Sequence, residues 1–268
     1  MNIYILALCV IQSIGEFLPI SSSGHLVLLS YLFKQPPTSL EWEVALHLGT
    51  LLSIIVYFRQ DVTDLVKAGF SLLKVKTFKD LTQDPKKELV ISLIIATLPA
   101  IVMGFLIQDK VSLLYSPLII GSSSILFGGL LYWADTCCPS LSKKPSLFES
   151  FIIGCFQILA FIPGASRSGT CITAARVLKL DRIQGTRFAF LLSIPTVLGA
   201  VVLTSYSAYK QKLSLDWSTI IQAITLTAIL GLGVIHGLLK FLKRHNFTVL
   251  MIYRILLGIG LLGFTYFN

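Results

Sequence analysis

Charged side chains are scarce in this 268-residue chain, at 13% of the residues. Soluble domains carry about 25%, so the shortage excludes an ordinary soluble globular protein. The mean hydropathy of +0.81 indicates instead an integral membrane protein. Acidic residues are the scarcer sign, with 13 Asp and Glu against 22 Lys and Arg. In a membrane protein a basic excess is typical of inner-side loops, so we expect no nucleic-acid partner.

Paired cysteines are also missing. Of the five cysteines, only Cys137 and Cys138 lie close in sequence, and they are adjacent. This spacing excludes a disulfide framework and a cysteine zinc site.

Uncharged runs long enough to cross a bilayer, about 20 residues each, are by contrast frequent. Six such runs are predicted to span the membrane: residues 44–58 (with 40–43 at an interface), 89–107, 116–134, 188–209, 218–239 and 247–267. His47 and His236 lie near span ends, as interfacial or packing histidines do. Arg254 lies inside the last span, where we expect it to pair with a carboxylate or with carbonyl groups.

Two further stretches, residues 2–33 and 148–188, begin apolar and then break at a proline followed by small polar residues. Irregular backbone at membrane depth is tolerated only inside protein or beside a wet cavity. Both stretches are therefore predicted to be re-entrant helical hairpins. Their centres align with Pro19 on Pro163 and Ser22 on Ser166. The charged end of the second hairpin is predicted to be a solvated inner-side segment: Arg176, Lys179, Asp181, Arg182 and Arg187.

One hairpin followed by three spans occurs twice, in residues 1–134 and 148–268, with a charged insertion at 59–88. Three is odd, so the second half is predicted to be inverted relative to the first, as in many transporters. A similarity around Pro99 and Pro195 adds support. The predicted fold is an all-α polytopic membrane protein, one integral domain over 1–268. It has about six transmembrane helices and two re-entrant hairpins in an inverted repeat.

The basic residues orient this topology. With 59–88 inside, twelve loop Lys and Arg lie inside and only Lys34, Lys110, Lys210 and Lys212 lie outside. Inner loops carry such an excess. The first hairpin then enters from outside and the second from inside, so that their tips can meet.

The first hairpin carries Gln12 and Glu16, four residues apart on one helix face, then Ser21, Ser22, Ser23 and His25. An ionisable residue at membrane depth indicates a functional site. The alternative is that Glu16 and His25 lie at a wet interface without a role.

The second hairpin carries a predicted anion-binding turn, PGASRSG at 163–169. Glycine turns and helix N-termini present N–H groups to anions, and the Arg167 fork suits phosphate oxygens. The alternative is a capping turn whose arginine reaches water. The predicted phosphate-binding residues are Gln12, Ser21, Ser23, Gly164, Ser166, Ser168, Gly169 and Thr170.

Four motifs resemble the undecaprenyl-diphosphatase (bacitracin-resistance) family: QSIGEFLPISSSGH at 12–25, PGASRSG at 163–169, FLLSIPTVLGA at 190–200 and IYRILLG at 252–258. The resemblance covers essentially the whole chain. It implies a bacterial inner-membrane enzyme that hydrolyses undecaprenyl diphosphate to undecaprenyl phosphate and inorganic phosphate. Such an enzyme recycles the lipid carrier of cell-wall synthesis and confers bacitracin resistance.

Carried over by position, the family's acidic motif falls on Gln12 and Glu16, its serine and histidine on Ser22 and His25, and its Ser-Arg pair on Ser166 and Arg167. Two positions depart from the family pattern. Cys171 stands where the family usually has threonine, although the neighbouring Thr170 could replace that hydroxyl. Arg187 stands where the family often has glutamate.

The predicted catalytic residues are Glu16, Ser22, His25 and Arg167. Arg167 would hold the diphosphate, and Glu16 a divalent cation, for which Mg²⁺ is the natural choice. Either His25 or Ser22 would attack the terminal phosphorus, unless water attacks directly. The expected partners are a polyprenyl diphosphate, membrane lipids and, as one option, a second copy in a homodimer. Two other function classes remain open, a lipid flippase or transporter using the same midplane site and a structural membrane protein. An outward-facing site is favoured.

Overall fold

The computed structural model describes residues 2–35, 39–73, 84–107, 114–210 and 216–267. This part of the chain contains eleven α-helices and no β-strand, only an isolated bridge between Leu141 and Leu180. The helices are α1 Ile3–Phe17, α2 Ser22–Phe33, α3 Leu40–Tyr57, α4 Arg59–Leu72, α5 Pro85–Ile107, α6 Pro117–Cys137, α7 Leu147–Gln157, α8 Arg167–Val177, α9 Arg182–Lys210, α10 Trp217–Leu242 and α11 Thr248–Phe267. A 3₁₀ turn, Ile158–Phe161, extends α7.

Six helices are long and apolar enough to cross a membrane: α3, α5, α6, α9, α10 and α11. The prediction of an all-α membrane protein with six spans is therefore confirmed. The helices α1 and α7 are apolar but shorter, and each is followed by a turn and a second short helix. The predicted range of the second hairpin, residues 148–188, extends too far along the chain. Its helix α8 ends at Val177, and Arg182 already begins α9.

The predicted insertion at 59–88 contains α4, while its residues 74–83 lie outside the described residues. Arg187, the position where the family often has glutamate, forms an ion pair with Asp61 of α4. Arg187 therefore attaches α4 to α9 and takes no part in the predicted site.

Helix pairing follows the same scheme in both halves. Helix α1 packs on α10 and α7 packs on α5, while α3 packs on α9 and α6 on α11. Two halves related by a two-fold axis would produce these pairs. Pro99 lies in α5 and Pro195 in α9, which are not counterparts in this scheme. The sequence similarity around the two prolines therefore gives no support to the predicted repeat.

Small residues allow the spanning helices to cross closely, as they commonly do in membranes. In the α6–α11 crossing, a Cβ atom on Gly258 would lie 2.7 Å from the Gly121 carbonyl oxygen. In the α3–α10 crossing, a Cβ atom on Gly49 would lie 2.6 Å from the Thr227 Cβ atom. Neither crossing has room for a larger side chain, so these contacts fix the frame that carries the two hairpins.

A buried charge cluster at the end of α6 was missed from the sequence. Asp135 Oδ1 accepts from Arg176 Nε at 3.0 Å and from Arg182 Nε at 2.7 Å. Its Oδ2 accepts from the Phe247 backbone N–H at 3.0 Å. The side chains of Arg176 and Asp135 are each 1% exposed. The prediction of a solvated Arg176 was wrong, because Asp135 and backbone carbonyls compensate the charge inside the protein.

The variant Asp135→Asn should destabilise the fold by about 3–5 kcal/mol, the usual cost of removing one partner from a buried ion pair. Thermal unfolding in detergent measures it. Asp64→Asn is the matched control, because the Asp64–Lys86 pair is exposed and such pairs contribute about 0–1 kcal/mol. Equal unfolding midpoints for the two variants would contradict the importance of the buried cluster.

Candidate active site

Each hairpin turns at a proline and restarts as a helix behind a serine of unusual backbone conformation. Ser21 has φ 71° before α2, and Ser166 has φ 65° before α8. The Ser21 hydroxyl lies 3.1 Å from the Ser23 hydroxyl, and the Ser166 hydroxyl lies 3.2 Å from the Ser168 hydroxyl. Ser21 is therefore the counterpart of Ser166, and the predicted alignment of Ser22 with Ser166 was shifted by one residue.

The two turns lie against each other. The Gly164 N–H donates to Ser23 Oγ at 2.9 Å, and Ser168 Oγ donates to the Leu18 carbonyl at 3.4 Å. Gly164 itself has φ +93°, and a Cβ atom there would lie 2.1 Å from Ser123 Oγ of α6. Only glycine therefore fits this point, where the second turn contacts both α6 and the first turn.

Arg254 of α11 binds both turns from behind. It is completely buried and donates to the carbonyl oxygens of Pro19 at 3.1 Å, Gly164 at 2.8 Å and Ala165 at 2.5 Å. From the sequence, Arg254 was expected to pair with a carboxylate or with carbonyl groups, and the structure shows carbonyl groups. A Cβ atom on Gly169 would lie 2.8 Å from Arg254 Nη1, so Gly169 makes room for the guanidinium.

An ion pair joins the two hairpins. Arg167 Nη2, at the start of α8, lies 2.5 Å from Glu16 Oε1, near the end of α1. The other carboxylate oxygen of Glu16 accepts from Gln12 Nε2 at 3.2 Å. Within the described residues, the Glu16 contact is the only side-chain hydrogen bond of Arg167. Because a guanidinium has five N–H donors, most of them remain available to an anion.

Ser22, the first residue of α2, packs against Gly15, the residue before Glu16 in α1. A Cβ atom on Gly15, the neighbour of Glu16, would lie 2.8 Å from Ser22 Cβ, so glycine allows the two helices to touch here. In the described part of the chain, Ser22 Oγ has no hydrogen-bond partner, whereas Ser21 and Ser23 bond to each other. The serine at the helix N-terminus therefore has a free hydroxyl, at a place that favours negative charge.

Other predicted phosphate-binding groups have partners within the protein. Ser166 Oγ accepts from the Gly169 N–H at 3.2 Å, and Thr170 Oγ1 donates to the Arg167 carbonyl at 3.0 Å. The buried Cys171 thiol lies 3.8 Å from Gln157 Oε1. Whether the hydroxyl of Thr170 replaces the threonine that the family usually has at Cys171 stays a prediction. Direct contact of the predicted phosphate-binding residues with phosphate stays a prediction.

The histidines His25 and His47 lie at different distances from the ion pair. His25 Nδ1 lies 2.7 Å from the Ser21 carbonyl oxygen and Nε2 lies 2.7 Å from the Tyr253 hydroxyl. Neither nitrogen contacts Glu16 or Arg167. His47, interpreted from the sequence as interfacial, lies within electrostatic range of Glu16. No sequence signal links His47 to the hairpins, because only the packing of α3 brings it there.

The residues around Glu16 offer a metal ion one carboxylate. The described residues contain no group of three or more His, Cys, Asp or Glu side chains able to hold an ion. Mg²⁺ is usually bound by one or two carboxylates together with substrate phosphates. The single Glu16 carboxylate therefore fits an ion that arrives with a diphosphate, and no resident protein cage surrounds it.

Comparison with known proteins decides the family. The family model described as "Bacitracin resistance protein BacA" matches residues 5–260. The chain belongs to this family. A curated relative from Alcanivorax borkumensis, named "Undecaprenyl-diphosphatase", is 38% identical over 261 residues, 96% of each chain. Another from Stutzerimonas stutzeri, named "Undecaprenyl-diphosphatase 2", is 37% identical over 267 residues, 97% of each chain. The family resemblance inferred from the four motifs is thereby confirmed.

Proposed function

We propose that this membrane protein hydrolyses undecaprenyl diphosphate to undecaprenyl phosphate and inorganic phosphate. Its relatives are named for this activity, and they match along nearly the whole chain. The structural observation that supports it most is the Glu16–Arg167 pair between the hairpins. The reaction recycles the lipid carrier for peptidoglycan synthesis and removes the diphosphate that bacitracin recognises.

Binding of the diphosphate is mainly electrostatic, because phosphoryl transfer depends on positioning and charge stabilisation. The free N–H groups of Arg167 bind the phosphate oxygens. The N-termini of α2 and α8 point positive dipole ends into the same place. The carboxylate of Glu16 orients the guanidinium by its hydrogen bond. Together these groups stabilise the charge that develops on the transferred phosphoryl group.

In the reaction step, an oxygen nucleophile forms a bond to the terminal phosphorus and the bond from that phosphorus to the bridging oxygen breaks. The prenyl monophosphate leaves with the bridging oxygen. If Ser22 Oγ is the nucleophile, its proton passes to the departing prenyl monophosphate. Water then attacks the phosphoserine, and one proton of that water returns to Oγ as phosphate leaves. Ser22 is favoured over His25, because its hydroxyl is free while the Tyr253 hydroxyl covers Nε2, the His25 nitrogen that has a lone pair.

Phosphate release should require a divalent cation. A cation bound by Glu16 and the diphosphate would neutralise phosphate charge. EDTA should therefore stop release, and added Mg²⁺ should restore it. Measuring the rate across Mg²⁺ concentrations tests this, and the apparent Mg²⁺ affinity should weaken in Glu16→Gln. Full activity in EDTA would contradict the cation requirement.

We further propose that the chain works in the bacterial inner membrane with its site facing outward. The excess of Lys and Arg in the loops assigned to the inside supports this orientation. A homodimer remains part of the proposal, and the mass of the protein–detergent complex measures it.

Assay in detergent separates the enzyme from a lipid flippase, because micelles have no second side to which lipid could move. Purified protein and undecaprenyl diphosphate should yield inorganic phosphate and undecaprenyl phosphate in equal amounts. Absence of phosphate at every Mg²⁺ concentration would contradict the proposed function and favour the flippase.

A further inference from the structure

Two neighbouring residues of α11, Tyr253 and Arg254, hold the first turn by different routes. Arg254 donates directly to the Pro19 carbonyl at 3.1 Å. The Tyr253 hydroxyl lies 2.7 Å from His25 Nε2, and His25 Nδ1 in turn lies 2.7 Å from the Ser21 carbonyl oxygen. Helix α11 thus holds two carbonyl groups of the turn, on either side of Ile20, one directly and the other through His25.

The Ser21 contact determines the tautomer of His25. A carbonyl oxygen can only accept, so His25 Nδ1 must carry a hydrogen and donate. In the neutral ring Nε2 then has a lone pair, to which the Tyr253 hydroxyl donates. The two rings also lie nearly parallel, with centroids 5.6 Å apart and an interplanar angle of 16°. Tyr253 therefore restrains both the orientation and the tautomer of the imidazole.

This arrangement changes the role of His25. Attack on phosphorus needs the lone pair of a ring nitrogen, and the one such nitrogen, Nε2, is covered by the Tyr253 hydroxyl. The contact with Ser21 reaches a residue in a strained conformation, φ 71°, which a side chain rarely adopts without support from its surroundings. The peptide bond after Ser21 leads directly into Ser22. Restraining this carbonyl therefore restrains the residue that carries the free hydroxyl.

We propose that Tyr253 is a positioning residue that acts through His25 on the first turn. The pair holds the Ser21 carbonyl, and with it the Ser22 hydroxyl, in the orientation that the transfer needs. This rests on the proposed function and deepens it, because His25 becomes a support and not the nucleophile. Tyr253 is 47% exposed, and an aromatic ring with a polar end is suited to such a half-exposed place.

The variant Tyr253→Phe removes the hydroxyl and keeps the ring. We expect kcat to fall about tenfold, the effect of one lost hydrogen bond, with KM within about twofold, because the residue does not touch the diphosphate. In the His25→Ala background, Tyr253→Phe should cause no further loss, because its route to the turn is already broken. Tyr132→Phe, at an exposed tyrosine of α6, is the control and should keep the activity of the original protein.

An unchanged kcat in Tyr253→Phe would overturn the proposal, as would losses that multiply in the double variant. A fall in kcat accompanied by a lower unfolding midpoint in detergent would also count against it, because general destabilisation would then explain the loss.

A second measurement needs no turnover. The chain has four histidines, so ¹⁵N-labelled imidazoles give few NMR signals. We expect Tyr253→Phe to shift the Nε2 resonance of His25 while Nδ1 stays protonated. The other three histidines should not change. An unmoved Nε2 resonance would overturn the contact itself. If the protein releases no phosphate but this resonance shifts, the proposed function fails and the Tyr253–His25 contact stands.

Discussion

Replacing Arg167 by alanine should lower kcat for phosphate release by about a thousandfold. Arg167 is the cation that the second hairpin places against Glu16 of the first. Without it the phosphate charge is uncompensated in a half-buried place. Arg167→Lys should recover only part of the rate, because an ammonium is a point charge without the planar fork of donors. Steady-state release of phosphate in detergent measures both variants.

The control for this experiment is Arg244→Ala, which removes an exposed arginine after α10. Its rate should equal that of the original protein. If Arg167→Ala has the unfolding midpoint of the original protein and also its rate, Arg167 has no part in the reaction. Full activity in Arg167→Lys would show that charge alone, and not the shape of the guanidinium, is required.

The variant Ser22→Ala should lower kcat by about a thousandfold or more if the serine is the nucleophile. The physical reason is the position of its hydroxyl, which is free at the N-terminus of α2, on a residue that packs against Gly15 of α1. With substrate labelled by ³²P at the terminal phosphorus, the original protein should give a labelled protein intermediate. A phosphoserine survives acid, whereas a phosphohistidine does not.

Ser30→Ala is the matched control on the same helix, because Ser30 Oγ donates only to the Leu26 carbonyl. It should retain full activity. A Ser22→Ala protein that still releases phosphate at the original rate would contradict attack by serine. Label lost in acid would assign the attack to a histidine, and absence of label in a single turnover would assign it to water.

The spans and the two hairpins could be predicted because the membrane imposes simple rules. A run of about 20 uncharged residues has to be a helix. A proline followed by serines and glycines breaks such a run, as at Pro19 and Pro163. The meeting of the two hairpin tips could also be predicted from the topology, whereas the direct ion pair of Glu16 with Arg167 was not predicted. The alignment of the two turns could not be predicted to the residue, because the sequence does not show which serine adopts a positive φ.

Long-range packing determined what could not be predicted. Asp135 stands just beyond the predicted span 116–134, and nothing nearby in sequence shows that Arg176 and Arg182 fold back onto it. From the sequence, His25 and Ser22 are alternative nucleophiles, and the partners of the His25 ring could not be predicted. Its contact with Tyr253 spans 228 positions. Such contacts depend on how α11 lies against the first hairpin, and no local pattern encodes that arrangement.

The central claim is that the meeting point of the two hairpins hydrolyses a lipid diphosphate. It is tested most directly by a single turnover in detergent, with protein in excess over undecaprenyl diphosphate labelled at the terminal phosphorus. We predict that the original protein converts the label to inorganic phosphate. We predict that the Glu16→Gln, Arg167→Ala double variant, folded to the same unfolding midpoint, leaves the label on the lipid. Label that stays on the lipid with the original protein, or equal release by the double variant, would contradict the claim.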